Sequence, residues 1–125
     1  MVQFMRVTSD RYSFEIPDKW KEMVGAKTKG ERTDIVLLWE EDPSCSGLMV
    51  SLRCLKRKKT APDEYTELIG TLTGDNGGRW FLYAVYGQEG AVSEANEDLY
   101  WRLRDQLWKV FESIRPEGGY GFNRA

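Results

Sequence analysis

Histidine is absent from this 125-residue chain, and that absence excludes more than any single residue present establishes. Without it there is no Ser-His-Asp or Cys-His nucleophile, no imidazole metal ligand and no imidazole pH switch. Cysteine is nearly absent. Cys45 and Cys54 are too few for a four-thiolate zinc site and are not a CxxC pair. They read as two ordinary thiols, with a disulfide as the alternative. No run of about 20 apolar residues occurs, so no transmembrane helix is expected. Neither sign of charge dominates. A formal net charge of −2 predicts no general attraction to nucleic acid or to anionic membranes. A basic-then-apolar leader is missing at Met1. The expected location is cytoplasmic if Met1 is the native start and extracytoplasmic if a leader has been removed. No catalytic, cofactor or metal motif is found, and neither cofactor nor enzymatic activity is expected.

Aromatic residues are plentiful, with five Trp, six Tyr and five Phe. They suit strands and large contacts rather than disorder. The length fits one domain over residues 1–125, with 116–125 a tail that has no periodicity and is either loose or a strap.

The stretch Glu94 to Pro116 organises the rest. At about 100° per residue, Leu99, Tyr100, Leu103, Leu107, Val110, Phe111 and Ile114 fall in one arc of roughly 120°. Ser93 or Asn96 caps the start, and Glu94, Glu97 and Asp98 sit at the positive end of the dipole. Pro116, with Gly118-Gly119 after it, stops the helix. Trp101 and Trp108 lie seven residues apart, on a line roughly 180–200° from Leu99, among Glu97, Arg104, Asp105 and Glu112. Either a loop or the Gly-rich tail covers them, carrying Tyr120 and Phe122, or they form a partner-binding face with Arg104 and Glu112.

Before that helix the pattern has period two. Tyr12, Phe14 and Ile16 alternate with Ser13 and Glu15 up to Pro17, and Trp20 plugs one end of the core. A weaker strand runs from Met23 to Lys29 and turns at Gly30. Thr33 to Glu40 is apolar on both faces, Ile35, Leu37 and Trp39 against Val36 and Leu38, as in a central strand. Leu48 to Lys56 points Leu48, Val50, Leu52 and Cys54 inward. Lys56-Arg57-Lys58-Lys59 is the one charge run, read either as a solvated turn or as a site for phosphate or an acidic partner. Pro62 suggests a short helix over Ala61 to Leu68. Ile69 to Thr73 and Arg79 to Tyr86 form a hairpin about Asp75-Asn76-Gly77-Gly78. The expected class is α+β: a mainly antiparallel sheet with the long C-terminal helix packed on one face.

On these residues the chain resembles the PsbP-like superfamily, the fold of the photosystem II extrinsic protein and of the Ran-binding Mog proteins. It is most similar to the small bacterial members without an assigned activity. The resemblance rests on Tyr12-Ser13-Phe14-Glu15-Ile16-Pro17 followed by Trp20, the strand Gly47 to Leu55, and the Tyr65, Leu68 and Gly70 stretch. The strand through Tyr83 and the closing Val110-Phe111-Glu112-Ser113-Ile114 complete it. It implies a central antiparallel sheet flanked by helices, and a role in binding other proteins. No residue matches the Ran-contacting or photosystem-contacting sites, so neither partner is implied, and the lipobox of exported relatives is missing.

Three functions compete. The first is a non-catalytic protein-binding or self-associating module using Trp101, Trp108, Arg104 and Glu112. The second is a small-ligand binder with a sheet face lined by Trp39, Trp80, Tyr83 or Tyr86. The third is an acid/base enzyme using Glu40, Glu41 and Asp42.

Overall fold

The computed structural model describes residues 4–88 and 90–125. Met1, the start of the leader reading, and one position of the Gly87–Ser93 connection lie outside the described residues. Among the described residues nine strands and two short α-helices follow one another. They are β1 (Phe4–Thr8), β2 (Tyr12–Pro17), β3 (Val24–Lys29), β4 (Arg32–Leu37), β5 (Leu48–Leu55), β6 (Thr66–Thr73) and β7 (Arg79–Tyr86), then α1 (Glu97–Arg104), α2 (Leu107–Glu112), β8 (Arg115–Pro116) and β9 (Gly121–Arg124). Every strand pairing is antiparallel. A small sheet has the order β1-β2-β8, and a larger one runs β3-β4-β5-β7-β6-β9.

The class is α+β, but one long helix lying on one sheet is not what forms. The helical segment breaks at Asp105-Gln106 into α1 and α2, and a second sheet built on β2 shares the task of covering the core. The break has no proline or glycine behind it. It falls where two halves of the segment are fastened to different strands. Tyr100 Oη donates to Leu48 O (2.8 Å) and Arg104 Nη1 to Gly87 O (2.6 Å), holding α1 to the ends of β5 and β7. Beyond the break, Glu15 N donates to Ser113 Oγ (2.7 Å), holding α2 to β2. Helix propensity is a weak preference, and such tertiary ties override it. The expected apolar stripe survives: Tyr100, Leu103, Leu107, Val110, Phe111 and Ile114 are buried and Leu99 is half-buried. Each such burial is worth about 1.5–3 kcal/mol.

The core joins Tyr12, Phe14 and Ile16 of β2 to Ile35, Val50, Leu52, Leu72 and Leu82 of the larger sheet and to this stripe. Trp20 is buried in it, as its position suggests. Ser13 is also buried, because its hydroxyl donates to Glu117 Oε2 (2.8 Å) and accepts from Arg6 Nη1 (3.0 Å).

Two local readings are corrected. β4 ends at Leu37, and Leu38 and Trp39 turn outward, each 51% exposed, so Trp39 does not continue the inward row. No helix forms over Ala61 to Leu68. Asp63 Oδ1 accepts from Tyr65 N (3.0 Å) and Thr66 Oγ1 (2.9 Å), a side-chain turn that competes with helix, and β6 starts at Thr66. This connection ties onto the outer face of the larger sheet, where Lys59 N donates to Tyr83 Oη (2.8 Å).

Candidate functional site

Trp101 and Trp108 are 46% and 54% exposed on the outer side of the helical segment. The tail does not cover them, nor is it loose. Gly118 and Gly119, at φ of 59° and 82°, turn the chain towards the far edge of the larger sheet. There β9 pairs with β6 in the register Leu72↔Phe122. Arg124 then donates to the carbonyls of Phe111 (2.9 Å) and Glu112 (2.6 Å), satisfying the open C-terminal end of α2. Tyr120 faces Arg11, 5.8 Å from its guanidinium, rather than either tryptophan.

The four residues expected to form a partner face are brought together in pairs. Trp101 stands beside Arg104, whose guanidinium lies 4.7 Å from the indole centroid, 5.0 Å from Tyr86 and 6.0 Å from Tyr100. Both border a cleft of about 400 Å³ with Tyr65, Glu97 and Ala91. Trp108 and Glu112 border a second cleft of about 430 Å³, against Glu67, Leu68 and Phe111. The break at Asp105-Gln106 thus parts a line of tryptophans that an unbroken helix would have kept continuous.

The residues of the ligand-binding reading do not converge. Trp39 is exposed on its turn, and Tyr83 is buried under the β5–β6 connection. Trp80 carries the Arg11 guanidinium 3.6 Å from its centroid, with Lys56 at 5.3 Å. Tyr86 meets Phe111 edge-on and donates to Glu67 Oε1 (3.0 Å); burial first, then this bond, raises its pKa. None of the four lines the clefts described.

The acid/base candidates are held by the backbone. Glu40 accepts from Ser93 N (2.6 Å), Asp42 N (3.1 Å) and Asn96 Nδ2 (3.3 Å), and the Ser93 bond is the main cause of its lowered pKa. Asp42 accepts from Ser44 Oγ (2.7 Å) and N (2.9 Å), which lower its pKa as well. Glu41 is exposed. Both cysteines are free. Burial pushes the Cys54 thiol up to about 12. Residues Lys56 to Lys59 are exposed.

One cluster had no sequence signal. Arg11 pairs with Glu31 and borders a polar cleft of about 280 Å³ with Thr28, Thr33 and Cys54. A lone arginine before an alternating strand gives no hint of this. Among the described residues no group of three or more His, Cys, Asp or Glu is placed to hold a metal, and no helix is long and apolar enough to cross a membrane. Comparison with protein-family models, with curated proteins and with solved structures finds no match.

Proposed function

We propose that this protein is a non-catalytic binding module that docks a protein partner on the outer side of its helical segment. One observation carries the reading. Two tryptophans stand about half exposed, one on α1 and one on α2, while the tail that would cover them is tied elsewhere. Large rings left in water are costly, and aromatic residues with arginine are the usual anchors of protein interfaces. Arg104 beside Trp101 and Glu112 beside Trp108 supply a polar setting for each anchor. Glu40 and Asp42 serve as acceptors for backbone N–H groups, and the Cys54 thiol is far from ionising at neutral pH, both of which favour binding over chemistry. A relationship to the PsbP-like proteins belongs to the same proposal, through their role in binding other proteins.

The test replaces both rings, Trp101→Glu with Trp108→Glu. The circular dichroism spectrum should be retained, because neither ring enters the core. Partner capture, or mass in solution by light scattering if the partner is a second copy, should be lost. Unchanged association in the folded variant overturns the reading.

A further inference from the structure

The outer side of α1 becomes its own complement when a second copy is turned end for end. At about 100° per residue, Glu97 and Arg104 lie roughly 40° and 60° to one side of Trp101. All three border the cleft of about 400 Å³. Asp98 and Arg102 lie roughly 60° and 100° to the other side. Arg104 is half-buried and the other three charged residues are exposed. Acids therefore precede Trp101 on both flanks, and arginines follow it. That order also suits the dipole of the helix itself. The dipole does not account for a ring 46% exposed between the two signs of charge. Nor are the charges used within the fold. Among the described residues none of the four enters an ion pair.

Resting on the partner-binding reading above, we infer that the partner is a second copy of this chain, docked α1 against α1 in antiparallel sense about a twofold axis at Trp101. An axis at right angles to both helices sets each flank against the same flank of the other copy. Glu97 lies roughly 6 Å before Trp101 along the helix and Arg104 roughly 4.5 Å after it, so Glu97 falls opposite the second copy's Arg104. On the other flank Asp98 lies roughly 4.5 Å before and Arg102 roughly 1.5 Å after, an offset that a long arginine side chain spans. The two indoles meet at the axis. A parallel arrangement would set acid against acid and arginine against arginine, so charge fixes the orientation as well as the partner. Arg104 donates to Gly87 O through Nη1 (2.6 Å), which holds the guanidinium in place without neutralising it. Asp105, exposed at the end of α1, is the one like charge that the pairing brings near the second copy's Asp98. Glu94, before α1, and Lys109, beyond the break, lie outside the pairing.

The test follows the mass of the purified protein by sedimentation equilibrium from micromolar to millimolar concentration. The parent should pass from monomer to dimer within that range. Trp101→Glu should abolish the dimer with the circular dichroism spectrum unchanged, and Trp108→Glu should weaken it less than threefold. Asp98→Lys and Arg102→Glu, at exposed positions that leave the core untouched, should each weaken the dimer about tenfold, because the twofold axis makes every reversal count twice. An equal mixture of these two variants should pair as tightly as the parent, since each charge again meets its opposite. Asp105→Asn should tighten the dimer. A parent that stays monomeric at millimolar concentration overturns the second copy but leaves docking of another protein on the tryptophans intact. The pairing about Trp101 also falls if the dimer is indifferent to Asp98→Lys and Arg102→Glu, if their mixture is no tighter than either alone, or if Trp108→Glu costs as much as Trp101→Glu. The wider reading falls only if the double tryptophan variant associates normally.

Discussion

The ring of Phe122 lies across Gly70, in the space a β-carbon there would occupy. The carbonyl of Asn123 is 2.6 Å from the same point. This is what lets β9 lie flat on the β6 edge, and Phe122 faces Leu72 in that register.

Gly70→Ala should therefore push β9 off its edge. The expected cost is about 1–3 kcal/mol, as for other insertions into filled space. Chemical denaturation measures it, and faster hydrogen exchange at Phe122 and Arg124 localises it. A stability equal to that of the parent would show that the ring moves aside freely.

Arg124→Ala removes two charge-assisted bonds to the last carbonyls of α2. Bonds to charged groups are worth about 1.5–3 kcal/mol each, and these are partly exposed. A total loss near 1–3 kcal/mol is expected, with Arg124→Lys recovering less than half because an ammonium lacks the fork that spans two acceptors. Equal recovery by lysine would mean that charge near the helix end matters and bidentate geometry does not.

The two cysteines should differ in reactivity. Cys45 is half-buried, and Cys54 is buried with its thiol raised to about 12. At pH 8 a thiol reagent should label Cys45 in the folded protein and reach Cys54 only on unfolding. The same shift sets a pH trend. Cys54 ionises near pH 9 when unfolded and near 12 when folded, and Tyr12 is likewise raised from 10 to about 12 by burial. Stability is full below pH 9 and falls as pH rises from about 9 to 12, because only the unfolded chain gains the charge. Cys54→Ser, if folded, should lessen the lower part of that fall.

On the acid side Glu40 acts in the opposite sense. Its folded pKa is lowered by the Ser93 backbone bond, so its contribution is present above the ordinary carboxylate pKa and disappears as pH falls through the folded value. Glu40→Gln should lower stability at pH 7 and flatten the decline below about pH 4.5. Thermal unfolding across pH 3–7 reads both effects. An unchanged profile would show that the Ser93 and Asn96 contacts do not survive in solution.

The strands with clean alternation were legible because burial on one face writes itself into every second residue, as at Tyr12, Phe14 and Ile16. The apolar stripe of the helical segment was legible for the same reason. Its break was not, since the ties of Arg104 to Gly87 and of Ser113 to Glu15 join residues far apart in the chain. Asp63 shows another limit. Pro62 followed by acidic residues reads as a helix start, but a single aspartate oxygen captured both Tyr65 and Thr66. For the candidate site, the exposed positions of Trp101 and Trp108 could be read from phase alone. The clefts beside them and the course of the tail depend on pairings that no local pattern records.

The small sheet is sewn together from the two extremes of the chain. β2 pairs with β8, and Ser13 bonds to Glu117 across a separation of 104 residues. During synthesis Tyr12, Phe14 and Ile16 leave the ribosome long before Leu107, Val110 and Ile114 exist to cover them. At roughly 5–20 residues per second that interval is about 5–20 s. For those seconds the nascent chain carries the inward row of β2 without the helical stripe that covers it, and its safety in the cell depends on whatever attends it until the last turn of helix has been made.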